Sequence, residues 1–183
     1  MRIVAGKWRG RALRAPKGMA VRPTSDRVRE AIFDILGESV DGAAVLDLFA
    51  GSGALGLEAL SRGSSSAVFV ESDPAAFGVL GTNIASLGAA EAECLHMDFR
   101  QALRRLRARS TRFGIVFLDP PYGKGLAAYS AADLVRAGIL QPGCTVVVEE
   151  AFRAPDAAFP AGWELSVDRR YGDTRVTMFR VPS

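Results

Sequence analysis

The sequence predicts an α/β fold built on a doubly wound, mostly parallel sheet. Three observations carry that expectation. From residue 43 onward, apolar strand-like runs alternate with helical stretches. The strand runs, such as Ile115-Val116-Phe117-Leu118 and Thr145-Val146-Val147-Val148, are almost unbroken in their apolar character. Such runs fit strands covered by helices on both faces. The first run also ends in a glycine-rich turn that opens a helix, Gly51-Ser52-Gly53, a local arrangement common where α/β sheets bind ligands.

In chain order, residues 2–5 and 11–14 read as short strands around Gly6-Lys7-Trp8-Arg9-Gly10, a hairpin with a basic, aromatic tip. Arg22-Pro23 interrupts regular structure. Thr24 or Ser25 can cap the helix that follows, whose Val28, Ile32, Ile35 and Leu36 share one face, and Gly37 is a natural stop. Strands are expected near 44–49, 67–71, 93–96, 113–118 and 144–149, and helices near 53–62, 74–87, 98–108 and 126–137. Residues 163–170 and 174–180 read as strands around the turn pair Gly172-Asp173, so the sheet should finish with an antiparallel strand. The expected organisation is an N-terminal extension of hairpin plus helix over 1–40 and one α/β domain over 41–183.

Composition narrows the class. The 183 residues are 49% hydrophobic and 23% charged, a globular balance. No apolar stretch approaches the roughly 18 residues of a membrane span. The N-terminus lacks the apolar core of a signal peptide. Cys94 and Cys144 are too far apart for a zinc spacing, and His96 is the only histidine, so no metal is expected. This cysteine usage fits a reducing cytoplasm. His96 falls in an apolar strand pattern and reads as a buried core or edge histidine. Charge is uneven: residues 1–30 hold nine bases and two acids, whereas the rest holds fourteen bases and eighteen acids. A basic leader on an acidic body suits a polyanion docked at one end, although the same run also reads as a solvated face.

The segment from Val45 to Gly56 carries the first functional signal. Gly51–Gly56 spells G-x-G-x-x-G, and Glu71 follows Gly51 by 20 residues, the spacing of a dinucleotide fingerprint. Asp47 argues against an NAD enzyme. A carboxylate beside the glycine turn would face a pyrophosphate with like charge, at a cost on the order of several kcal/mol. It suits a cationic ligand such as S-adenosylmethionine, which carries an ammonium and a sulfonium. Glu71 can accept from a ribose diol in either reading. Asp98 can accept from an adenine amino group or cap the next helix, and Phe99 can pack on the adenine ring. The candidate cofactor residues are therefore Asp47, Ala50, Gly51, Ser52, Gly53, Glu71, Ser72, Asp98 and Phe99.

Asp119-Pro120-Pro121-Tyr122, after the fourth apolar run, carries the second. At roughly 5% per residue type, a chain this long holds four specified residues by chance with probability about 10⁻³. The carboxyl end of a strand in an open α/β sheet is where ligands bind. The residue types match the chemistry of an exocyclic base amine, whose lone pair is delocalised into the ring. Asp119 can accept one N–H, the Pro120 carbonyl the other, and the lone pair is then aimed at a methyl donor. Pro121 stiffens the loop and Tyr122 can stack on the base. Asp119 also offsets charge as the nitrogen becomes cationic. A rigid Pro-Pro turn capped by Asp is the plainer alternative. Lys124 can touch a phosphate or stay solvated.

These motifs resemble a known family. Asp47 to Gly53 with Asp119-Pro120-Pro121-Tyr122 resembles the Rossmann-like class I methyltransferases that modify amino groups of bases. Arg2–Arg11, Arg22–Glu30, Leu46–Gly63 and Tyr171-Gly172-Asp173-Thr174 resemble the bacterial small-subunit (16S) ribosomal RNA guanine-N2 methyltransferases. Residues 88–112 and 150–165 match less clearly. The resemblance implies a seven-stranded sheet, S-adenosylmethionine as cofactor, and methylation of one guanine in 16S rRNA of the small ribosomal subunit. It also implies an extension that helps bind RNA, with Arg2, Lys7, Trp8, Arg9, Arg11, Arg14, Arg22 and Arg27 as the candidate contacts. A monomer without metal or membrane partner is expected. Three rivals remain at this point: a DNA adenine-N6 or cytosine-N4 methyltransferase, a non-catalytic RNA-binding assembly factor, and the NAD enzyme.

Overall fold

The computed structural model describes residues 1–16, 26–121, 125–154 and 158–182. Arg22, Thr24, Ser25, Tyr122 and Lys124 lie outside the described residues. After the N-terminal segment come α1 (Asp26–Leu36), a 3-10 turn (Gly37–Val40), β1 (Ala44–Asp47), α2 (Ala54–Ser61), β2 (Ser66–Glu71) and α3 (Pro74–Leu87). Then follow β3 (Ala92–His96), α4 (Phe99–Ala108), β4 (Phe113–Leu118), α5 (Leu126–Ala137), β5 (Leu140–Ala151), β6 (Glu164–Tyr171) and β7 (Thr174–Arg180).

The strands form one seven-stranded sheet in the order β3-β2-β1-β4-β5-β7-β6. β3 to β5 run parallel, and β7 pairs antiparallel with both β5 and β6. Side-chain alternation splits the core into two layers. Val45, Phe69, Ile115, Phe117 and Val147 face α1, α2 and α3, whereas Leu46, Val68, Val116, Leu118 and Val148 face α4 and α5. Both layers are apolar, which is why the strand runs lack a polar partner at alternate positions.

Three local differences from the sequence reading have physical causes. β5 begins four residues earlier than expected, because Gln141–Cys144 bulge against Gly114 between the pairs Leu140↔Phe113 and Thr145↔Ile115. In α1 the buried face is Val28, Arg29, Ile32, Phe33 and Leu36, while Ile35 is exposed. His96 is exposed rather than buried: β3 is an edge strand, and the imidazole stacks on Phe77 with ring centroids 4.5 Å apart.

The N-terminal segment pairs as a minimal hairpin, with one antiparallel bridge, Arg2↔Ala12, and the Ile3 N–H donating to the Arg11 carbonyl at 2.9 Å. It is held to the body mainly through α2. Glu58, fully buried in α2, accepts from the Val4 and Ala5 N–H groups at 2.8 and 2.9 Å. It also accepts from Arg62 Nε at 2.9 Å and Arg29 Nε at 3.4 Å. Arg29 in turn donates to the Arg2 carbonyl and to Asp26. The Lys7 N–H donates to the Ser61 carbonyl at 2.7 Å, and Gly6 sits so close that a Cβ there would lie 1.7 Å from that oxygen. Ile3 and Leu13 are buried in the same cluster as α1, α2 and β1.

Candidate active site

The sheet order places β1 beside β4, the point where the strand order reverses and where open α/β sheets bind ligands. In register, Asp47 at the end of β1 pairs with Phe117, two residues before Asp119. A cavity of about 580 Å³ opens at this carboxyl edge. Asp47, the Phe49–Ser52 turn, Glu71, Ser72, Asp73, Met97–Arg100, Asp119, Pro121 and Leu126 line it.

The glycine turn has a reason at each step. Gly53, at φ 81° and capping α2, is left-handed, and a Cβ there would lie 2.4 Å from Leu80 Cδ1. The Ala50 N–H donates to the Val70 carbonyl, and the Gly51 N–H donates to Glu71 Oε2 at 2.8 Å. Glu71 Oε1 accepts from the Asp73 N–H at 2.7 Å. Two backbone donors thus fix the Glu71 carboxylate, and each oxygen keeps a further acceptor site.

Asp47 is the electrostatic singularity of the site. It is buried, and its Oδ2 accepts from the Gly56 N–H at 3.1 Å. Its Oδ1 has no hydrogen-bond partner among the described residues. Burial pushes its pKa up to about 7; the Gly56 bond pulls the other way, and the Glu71 charge adds to the rise. A buried carboxylate oxygen without a donor, in the wall of a cavity, fits a cationic ligand group.

The remaining candidates fall as follows. Ala50, Gly51, Ser52, Glu71, Ser72, Asp98, Phe99, Asp119 and Pro121 are in the cavity wall. Gly53 and Pro120 are buried beside it. Asp98 caps α4 by accepting from the Arg100 N–H at 2.9 Å, and Phe99 packs on Phe49 with centroids 5.4 Å apart. Arg2, Lys7, Arg9, Arg11, Arg14 and Arg27 are exposed. Trp8 is half-buried against the core, with Lys7 Nζ 4.3 Å from its ring centre. Sequence reasoning missed Met1, Ala15 and Pro16, which also line the cavity. They are held there partly by Asn83, whose amide accepts from the Arg14 N–H and donates to the Arg14 and Ser52 carbonyls. Nothing local marks those wall residues. A signal did exist for Glu58, the only charge in an otherwise apolar α2.

Among the described residues there is no group of three or more His, Cys, Asp or Glu side chains able to hold a metal. No helix among them is long and apolar enough to cross a membrane. Burial pushes the free thiols Cys94 and Cys144 up to about 11 and 12.

A family model described as "Conserved hypothetical protein 95" matches residues 1–180. Ribosomal RNA small subunit methyltransferase D of Escherichia coli K12 is 37% identical over 98% of this chain and 89% of its own length. The protein of the same name from Haemophilus influenzae is 34% identical over 94% of this chain and 89% of its own. The chain belongs to the ribosomal RNA small subunit methyltransferase D family. The solved structure of yhhF from Escherichia coli agrees, at TM-score 0.89 and 37% identity, covering 100% of this chain and 98% of that one. At the level of fold alone, SMU.776, solved in complex with SAH, superposes at TM-score 0.61 and 16% identity, over 85% of this chain and 48% of that one. Membership of a methyltransferase family implies S-adenosylmethionine as the cofactor, and the unpartnered Asp47 oxygen fits its ammonium.

Proposed function

We propose that this protein methylates the exocyclic N2 amino group of one guanine in 16S rRNA of the small ribosomal subunit. The observation that carries the reading is the convergence of Asp47 and Asp119, from neighbouring parallel strands, on one cavity. The relatives' names supply the nucleic acid class.

Asp47 would hold the ammonium of S-adenosylmethionine, the Gly51–Gly53 turn its methionine part, and Glu71 its ribose. Asp98 and Phe99 would meet its adenine. When bound, the cofactor supplies an electrophilic methyl group. Asp119 accepts one N–H of the guanine amine and the Pro120 carbonyl accepts the other, which orients the lone pair. Asp119 then stabilises the cationic nitrogen and is placed to receive its proton. Pro121 limits the freedom of that loop, and Tyr122 stacks on the presented base. Enzymes that modify bases take them out of the stack, so the guanine enters unstacked. Residues 1–40 act as an RNA-binding extension of the catalytic domain over 41–183, gripping phosphates through Arg2, Lys7, Arg9, Arg11, Arg14, Arg22 and Arg27, with Trp8 beside them.

The test is Asp119→Ala with small ribosomal subunits from cells lacking the protein. Methyl transfer should fall by at least about 10²-fold while cofactor binding persists. Unchanged transfer would sink the assignment. Mapping the product by mass spectrometry distinguishes guanine N2 from other positions, and duplex DNA as substrate tests the DNA rival.

A further inference from the structure

The basic leader is not the only concentration of positive charge. Residues 99–112, comprising α4 and the turn after it, hold six arginines and no acid, whereas the other residues from 31 onward hold eight bases and eighteen acids. Every one of the six, Arg100, Arg104, Arg105, Arg107, Arg109 and Arg112, is exposed. The helix is strongly two-faced. Phe99, Ala102, Leu103 and Leu106 are buried against the sheet, and the arginines occupy the outward side.

Arg100, Arg104 and Arg107 recur at i, i+4 and i+7, so they stand in one row over about 10 Å of helix. Arg136 from α5 joins them, and the four line a shallow cleft of about 170 Å³ with Leu103, Asp133 and Ala137. Among the described residues, Asp133 is the only acid lining that cleft. It pairs with both Arg100 at 3.2 Å and Arg136 at 2.7 Å, so one negative charge is shared by two guanidiniums. Outside the cleft, Arg109 pairs with Glu93 on β3. Arg100 also belongs to the wall of the large cavity, so the row begins at the candidate active site. The N-terminal segment packs on the opposite face of the sheet, with α1, α2 and α3.

We propose that the Arg100–Arg104–Arg107–Arg136 cleft is a second phosphate-binding surface for the RNA substrate. The RNA then straddles the carboxyl edge of the sheet, gripped by the leader on one face and by α4 and α5 on the other, with the target base between. Charge complementarity and continuity with the cavity select a nucleic acid backbone over other partners. The inference rests on the RNA reading above.

The test compares Arg104→Ala/Arg107→Ala with the wild-type chain and with Arg9→Ala, using small ribosomal subunits over a salt series. The double variant should bind about 10- to 100-fold more weakly at low salt. Its slope of log affinity against log salt should be shallower by about two, one for each lost phosphate contact. Its melting temperature and its affinity for S-adenosylmethionine should not move. Wild-type affinity and slope in the double variant, with both reduced in Arg9→Ala, would overturn the second surface and leave the RNA reading standing. If subunits fail to bind the wild-type chain, both readings fall. Binding of the wild-type chain to anionic lipid vesicles, abolished in the double variant while subunit binding is unaffected, would likewise overturn it.

Discussion

Two buried carboxylates are bonded to the α2 region and differ in their donors. Glu58, inside the helix, accepts from two backbone N–H groups and two arginines. Asp47, at the end of β1, has a single bond to the Gly56 N–H and, among the described residues, an oxygen with no donor. Burial costs each carboxylate its hydration, and what replaces the water decides its role. Four donors turn Glu58 into an anchor for the N-terminal segment. One donor leaves Asp47 short of positive charge in the wall of a cavity. The same side-chain chemistry is structural inside the helix and receptive at the end of the strand before it.

Breaking the anchor should have the largest effect. Glu58→Ala leaves Arg29 buried with only Asp26, among the described residues, as a charged partner, which should cost about 3–5 kcal/mol. Thermal unfolding should then shift downward by an amount on the order of 10 °C. A melting temperature within a degree of wild type would mean that the Glu58 network holds nothing together.

The receptive end should respond oppositely. Asp47→Asn should weaken S-adenosylmethionine binding by roughly 10- to 100-fold, the worth of one hydrogen bond to a charged group. It should not lower the stability of the free protein. The pH dependence sharpens the contrast. Asp47 has a pKa raised to about 7 in the folded chain, against an ordinary carboxylate value when unfolded. Its stabilising contribution is therefore complete below about pH 4 and is lost as the pH rises through 7. Binding a cation requires the ionised form. Calorimetry should show cofactor affinity falling about tenfold per unit below pH 7, with a proton released on binding, and Asp47→Asn should flatten both. A pH-independent affinity in the wild-type chain would contradict the assignment of Asp47 to the ammonium.

The smallest effect belongs to the exposed pair Lys7–Glu91, 2.9 Å apart and about half-exposed. Lys7→Ala should leave the melting temperature unchanged, because exposed ion pairs contribute little. It should weaken subunit binding in low salt only, as the loss of one phosphate contact would.

The contrast also shows what the sequence could convey. The order of strands and helices was legible because near-continuous apolar strand runs alternate with longer helical stretches. The placement of Asp47, Glu71 and Asp119 was legible because each stands at or just past the end of a strand, and strand ends converge at the edge of an α/β sheet. Arg29 was not, because a charge on a helix face reads as solvated until its buried partner is known, and Glu58 is 29 residues away. The start of β5 was hidden by Pro142-Gly143, which signal a turn and here form a bulge. For His96 the edge reading holds and the expected burial does not, because the strand pattern does not say which strand is at the edge. Met1, Ala15 and Pro16 reach the cavity only through tertiary packing that no local pattern encodes.

Gly6 stands on the Ser61 carbonyl with no room for even one added carbon. A random screen for loss of methylation would therefore recover substitutions at this position. They would resemble defects of the catalytic loop while leaving every residue of that loop unchanged. The leader would simply have been pried off the helix that follows the glycine turn. Such an allele would serve genetics as a separation tool, leaving Asp119–Pro121 unchanged while displacing the basic leader and the part of the cavity wall that Met1, Ala15 and Pro16 supply.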